Sequence, residues 1–240
     1  MRLFPLCALA LLMHVPAYAA PVPMPMQADE YVAPAFSAPA AAALIILLPA
    51  QSGGSQYDAA NGFVIGQLQA QLVAAGYRVK GLDAANYDLL WQQEAQAAGG
   101  LYDPLTGDLR TEAYFRAMSA LAQRIAAATG AALVIKPALV LRDARLLGTT
   151  AQWDGQRKMP KAKNLFNDTV RYDGITTAIS VEFIAMSGEG ELAFKTFGGV
   201  TLPHRGDMWD GKQEVRDDLF ANDKEIAEGV SIALRPLLKK

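Results

Sequence analysis

The side chains of this sequence that could do chemistry are few, and most of them lie in one loop. His204 is followed at intervals of three by Asp207 and Asp210, and Trp209 stands beside the last of these. Imidazole and carboxylate groups bind borderline and hard divalent ions, and a histidine beside a carboxylate can act as a general base. With no second histidine or any cysteine nearby, the spacing is not a zinc motif. One alternative is therefore a metal-assisted hydrolase that uses His204, Asp207 and Asp210.

Other catalytic patterns are missing from the sequence. It contains no Gly-x-Ser-x-Gly segment, which would mark the nucleophile turn of a hydrolase. The Gly-rich loop at residues 52–55 lacks the Gly-Lys-Ser/Thr ending of a P-loop and the glycine spacing of a dinucleotide site. We therefore expect no cofactor, and we favour a protein that is not an enzyme.

Tryptophans give a second set of candidates, for binding rather than catalysis. Trp153 precedes the turn residues Asp154 and Gly155, so its indole either packs in the core or forms an exposed platform for a sugar ring or a partner side chain. The same choice applies to Trp209. Trp153, Asp154 and Trp209 are the predicted binding residues.

The N-terminus predicts where the protein works. Arg2, the apolar run 3–13 and the small residues at 17 and 19 have the order of a secretory signal peptide covering residues 1–19, with cleavage before Ala20. We expect export to a bacterial periplasm. The single cysteine, Cys7, lies inside the signal, so the exported chain would contain no disulfide.

Charge and hydropathy exclude two classes of partner. The sequence has 22 basic and 24 acidic residues, a balance that gives no reason to expect nucleic acid. The apolar segment at residues 40–48 is about half of the ~20 residues that cross a bilayer, so we expect no stable membrane insertion.

Hydrophobic periodicity predicts the elements that must position the candidate residues. Residues 20–41 form a Pro/Ala-rich linker, and residues 42–240 form a single α/β domain. The predicted strands are 44–48, 77–82, 131–141, 149–157 with a turn at 154–155, 175–183 and 192–200; the helices end at Ala75, span 86–98 and 110–129, and begin again at Asn222 or Asp223. Because Pro137 lacks an N–H, the third strand should be at an edge or bulged there.

This order predicts an α/β fold: a mixed β-sheet flanked by helices, with three β-α units in the first half. A β-hairpin and a closing C-terminal helix follow in the second half. The strand 44–48 ending in Pro49, the helix end at Ala75-Gly76, and Thr129-Gly130 before the third strand resemble the periplasmic α/β domain shared by CsgG, LpoB and the N-terminal domain of TolB. The closing helix with Ile226, Val230 and Leu234 matches as well.

The resemblance implies a non-enzymatic role in the cell envelope. The protein would bind another envelope protein or a glycan, or form a homo-oligomer. CsgG and LpoB are lipoproteins, and this sequence has no cysteine at the expected cleavage site, which argues against outer-membrane attachment. Three hypotheses follow: a partner-binding module, the metal-assisted hydrolase, and a ring-forming component of a secretion system.

Overall fold

The computed structural model describes residues 29–160, 172–206 and 213–238. Within these ranges a mixed sheet of nine strands is flanked by four α-helices, which confirms the predicted α/β fold. The strands are β1 Tyr31–Val32, β2 Leu44–Leu47, β3 Gln51–Ser52, β4 Arg78–Gly81, β5 Leu133–Gly148, β6 Thr150–Trp153, β7 Gln156–Lys158, β8 Tyr172–Ser187 and β9 Leu192–Thr201, with β10 His204–Gly206 and β11 Gln213–Val215 forming a separate ribbon. The helices are α1 Asn61–Ala74, α2 Ala84–Ala97, α3 Thr111–Thr129 and α4 Asp223–Ala233.

Parallel and antiparallel pairing meet at the centre of the sheet. The order is β1-β9-β8-β5-β2-β4; β2 is parallel to β4 and β5, whereas β8 is antiparallel to both of its neighbours, β5 and β9. Alternate residues of β2 point to opposite faces, and both faces are buried. Helices α1 and α4 cover the face of Ile45 and Leu47, and α2 and α3 cover the face of Leu44 and Ile46.

Pro137 corrects one prediction. It lies inside β5, a central strand, opposite Phe183 of β8, rather than at an edge or bulge. The carbonyls of Ile135 and Leu139 accept hydrogen bonds from the N–H groups of Leu48 and Gly53. The backbone polar groups of the odd-numbered residues of β5 therefore point toward β2 and β3. Pro137 falls between them, at the break between those two strands. Its missing N–H therefore interrupts no ladder.

The paired strands β5 and β8 continue past Leu139 and Ile179, the outermost of their residues in the two larger cores. Each has 16 residues, paired along the whole length. The short strands β6 and β7 fold back over the distal part of the pair, where Gly199 N–H donates to the Asp154 carbonyl at 3.0 Å. We call residues 140–158 and 172–180 the arm. A small third core of Ala144, Ala151, Trp153, Ala178 and Leu202 fills the space under the fold-back.

The described part of the predicted linker, residues 29–41, is packed against the sheet. Tyr31 and Val32 pair with Lys195 and Phe194 of β9, and the Phe36 ring meets the Phe194 ring edge-on at 5.5 Å between centroids. The folded part therefore begins before residue 42, and the prediction of a linker is wrong for this segment. The signal peptide and the rest of the linker lie outside the described residues.

Helix α4 approaches β9 at two glycines. A Cβ atom built on Gly198 would lie 1.8 Å from the carbonyl oxygen of Gly229, so no side chain fits at this contact. The helix begins at the cap Asn222, one of the two predicted positions, whose side chain accepts from the Lys224 N–H. None of the helices that the structure describes has the length and apolar character needed to cross a membrane.

Candidate functional site

Trp153 occupies the third core. Its side chain is 6% exposed, and its indole N–H donates to the Ile179 carbonyl at 3.3 Å. A Cβ on Gly199 would lie 2.7 Å from the indole nitrogen, so strand β9 passes directly against the ring. Of the two predicted roles, the structure gives Trp153 the packing role, and its indole is not an exposed platform.

Asp154 begins the two-residue turn between β6 and β7. It has φ of 37° and Gly155 has φ of 76°, the left-handed geometry that the Asp-Gly pair favours in tight hairpins. The turn aims the Asp154 carboxylate at Arg142 of β5, whose Nε and Nη2 donate to its two oxygens at 3.0 and 3.1 Å. Ser180 adds a third hydrogen bond at 2.6 Å. The predicted binding residue Asp154 is therefore held by its own chain.

Arg142 is the centre of this arrangement. Its remaining N–H groups contact the Asp29 carboxylate at 2.8 Å, and its guanidinium lies 4.2 Å above the Phe197 ring. The two carboxylates raise the pKa of Arg142 above its ordinary value, and the hydrogen bond to Arg142 lowers the pKa of Asp29. The side chain of Arg142 nevertheless remains 24% exposed. A permanent cation is thus held in one orientation at the surface.

An open cavity of about 450 Å³ adjoins Arg142. Its walls are formed by Leu141, Arg142, Asp143 and Thr177, all in the arm. Strand β3 pairs with β5 at residues 138–139 and β6 pairs with it at residues 145–147. Between them, on this side of β5, no strand that the structure describes pairs with residues 140–144. The cavity therefore combines a fixed cation, an exposed leucine and a free length of strand edge.

The predicted metal site is only partly described. His204 begins β10, opposite Val215, and its Nδ1 is buried without a hydrogen-bond partner among the described residues. Asp207, Trp209 and Asp210 lie outside the described residues. The structure therefore gives no distances among the three predicted ligands, His204, Asp207 and Asp210. No group of three or more histidine, cysteine and acidic side chains able to hold a metal ion occurs in the ranges that are described.

Comparisons with known proteins find distant structural neighbours. No protein-family model matches the chain, and no curated protein matches it. Among solved structures it is similar to the PelC dodecamer of Paraburkholderia phytofirmans, at 12% identity and a TM-score of 0.41 over 88% of this chain and 96% of that one. It is also similar to lipoprotein GNA1162 of Neisseria meningitidis, at 13% identity and a TM-score of 0.32 over 66% of this chain and 81% of that one. The resemblance to CsgG, LpoB and TolB stays a prediction.

Sequence reasoning missed Arg142. It is one of 22 basic residues and stands in no motif. Its partners come from the N-terminal segment, the β6–β7 turn and β9, which only the folded sheet brings together. One signal was available: Arg142 directly follows the apolar strand predicted for residues 131–141, and an arginine that is partly buried there must find a partner for its charge.

Proposed function

We propose that this protein is a non-enzymatic module of the cell envelope that binds another envelope protein at the Arg142 cavity. The observation that carries the proposal is the fixed guanidinium on the cavity wall. Arginine is enriched at the energetic centres of protein interfaces. Because Asp154 and Phe197 already hold Arg142 in place, a partner would bind it with little further loss of side-chain entropy.

The rest of the cavity suits a protein partner. Leu141 is 48% exposed and offers apolar area beside the cation. The free edge of β5 can accept main-chain hydrogen bonds from an extended segment, a common mode of peptide recognition. Ser180, whose hydroxyl donates to the Asp154 carboxylate beside Arg142, is fully buried and so cannot attack a substrate.

Crosslinking in cells tests the proposal. A photo-crosslinking amino acid at Asp143, on the cavity wall, should capture one dominant envelope protein, identified by mass spectrometry. Leu141→Asp should reduce that yield at least fivefold, because it removes the apolar wall. Leu147→Asp is the matched control, since Leu147 is 42% exposed on the same face of the arm but outside the cavity.

Equal yields from the two leucine variants would overturn the proposal. Capture of a glycan instead of a protein would also overturn it, and crosslinks between copies of this chain alone would favour the ring-forming alternative.

Export forms part of the same proposal: we expect the mature protein to be recovered from the periplasm with Ala20 as its first residue.

The buried Nδ1 of His204, which has no hydrogen-bond partner among the described residues, keeps the metal-assisted hydrolase as a second candidate. This candidate requires Asp207 and Asp210 to complete the ligand set. It predicts a divalent ion bound one-to-one to the purified protein and lost in His204→Ala. Elemental analysis of both proteins decides between a bound ion and none.

A further inference from the structure

A second polar cluster lies where the parallel strands end. Gln51 follows β2, Tyr87 lies near the start of α2 after β4, and Lys136 follows the residues of β5 that pair with β2. After β2 the chain passes to α1 on one face of the sheet, and after β4 it passes to α2 on the other. In α/β sheets, such diverging connections leave a crevice at the carboxyl edge, and ligands bind there.

Tyr87 is the anomalous residue of this cluster. The residue is 3% exposed, and its hydroxyl is buried without a hydrogen-bond partner among the described residues. The Gln51 side chain lies next to the hydroxyl but not in regular hydrogen-bond geometry. Leaving a buried hydroxyl unpaired is costly, and native proteins rarely do so without a reason.

Lys136 supplies the positive charge of this cluster. Its ammonium donates to the Tyr114 hydroxyl at 3.0 Å and lies 5.6 Å from the centroid of that ring. Among the described residues no carboxylate lies within ion-pair distance of it. Burial raises the pKa of both Tyr87 and Tyr114, so the two phenols remain neutral donors. Trp91 stacks on Tyr87 and meets Tyr114 edge-on, which holds both rings.

We propose that Lys136, Tyr87 and Tyr114 form a binding site for a carboxylate group of a small ligand. Among the residues that the structure describes, the hydroxyl of Tyr87 has no acceptor and Lys136 donates only to Tyr114. A carboxylate supplies acceptors for both, together with a negative charge for the ammonium. One ammonium matches a monoanion better than a dianion, because Glu182 and Asp88 contribute negative potential at the two phenols. The site is separate from the Arg142 cavity and does not depend on its function.

Titration of the full exported chain tests the site. The probes are acetate, D-glucuronate and neutral D-glucose, and the readout is the NMR signal of the Trp91 indole N–H, assigned with Trp91→Phe. Acetate and glucuronate should shift that signal saturably, and glucose should not. Tighter binding of glucuronate than of acetate would identify a sugar acid as the source of the carboxylate; equal binding would identify a free carboxylate.

Variants separate the site from simple hydration of Tyr87. Lys136→Met should weaken carboxylate binding at least tenfold, whereas Lys80→Met, an exposed lysine on β4, should leave it unchanged. Tyr87→Phe should abolish the response and raise the Tm of the free protein, since it removes an unpaired buried hydroxyl. Tyr77→Phe is the control and should lower the Tm, because the Tyr77 hydroxyl donates to the Leu237 carbonyl and the substitution removes that hydrogen bond. A lower Tm in Tyr87→Phe, or unchanged binding in Lys136→Met, would overturn the proposal.

Discussion

Side chains of the arm show how one buried aromatic residue can fix a charged one. Trp153 fills the third core, and the next residue, Asp154, is thereby placed against Arg142. Since the carboxylate of Asp154 is bound by Arg142 and Ser180, the turn that carries it has little freedom to move. The packing of Trp153 in the third core and the hydrogen bonds of Asp154 to Arg142 and Ser180 therefore stabilise the same turn conformation.

Trp153→Ala should lower the free energy of unfolding by about 3 kcal/mol, because it empties a buried aromatic site. Trp153→Phe is the control: it keeps a ring in the site and loses the hydrogen bond to Ile179, so it should cost about 1 kcal/mol. Urea denaturation measures both. An alanine variant of undiminished stability that nonetheless lost partner capture would restore the platform role to this residue.

The sequence predicted the elements with a strong local pattern. The end of α1 before Gly76, the span of α3 and the cap of α4 follow from helical periodicity, glycine at a left-handed position and an amide cap. Strand β1 could not be predicted in this way. It has two residues in a Pro-rich stretch, and its partner lies about 160 residues away.

The candidate site was less predictable than the fold. Asp154 was found because Asp-Gly is a local turn signal. Arg142, Tyr87 and Lys136 have no such signal, since their importance depends on what surrounds them: two carboxylates around the arginine, an unpaired hydroxyl, and an ammonium whose described partner is a phenol. These are properties of the assembled sheet.

At the level of elements, the contact between α4 and β9 is the most sensitive to substitution. Gly198→Ala should destabilise the protein by about 3 kcal/mol or more, since the added methyl collides with the backbone of α4. Gly66→Ala is the matched control on the exposed side of α1, where an added Cβ has nothing within 4 Å. It should stabilise the protein by about 1 kcal/mol through helix propensity. Thermal unfolding of the two variants should therefore shift in opposite directions.

On the scale of the whole molecule, the N-terminal segment joins regions that are distant in sequence. Asp29 contacts Arg142 in the arm, and Glu30 contacts Arg235 just after α4 at 3.4 Å. Strand β1, which directly follows these two acidic residues, pairs with the outer edge of β9. The segment is thus part of the folded unit and contributes a charge to the candidate binding surface.

Acid should weaken this connection. The pKa of Asp29 is lowered in the folded protein by its hydrogen bond to Arg142, so its contribution to stability is present above the unfolded pKa of about 4 and is lost as pH falls through the folded value. The stability difference between the wild type and Asp29→Asn should be constant near pH 7 and shrink below about pH 4. Asp143→Asn, an exposed carboxylate in the arm, controls for general charge effects. Urea titrations between pH 2.5 and 7 measure the free energy of unfolding of each protein. A difference between the wild type and Asp29→Asn that stays constant down to pH 2.5 would contradict this prediction.

The long separation between β1 and its partner has a kinetic consequence. During synthesis or secretion from the N-terminus, Tyr31 and Val32 emerge long before Phe194 and Lys195 exist to pair with them. Closing so large a loop has a high entropic cost, so this pairing should form after β8 and β9 have joined. Residues 29–32 would then be among the last parts of the domain to reach their native contacts. Until that moment the outer edge of β9 and one side of the Arg142 guanidinium would be accessible to other molecules.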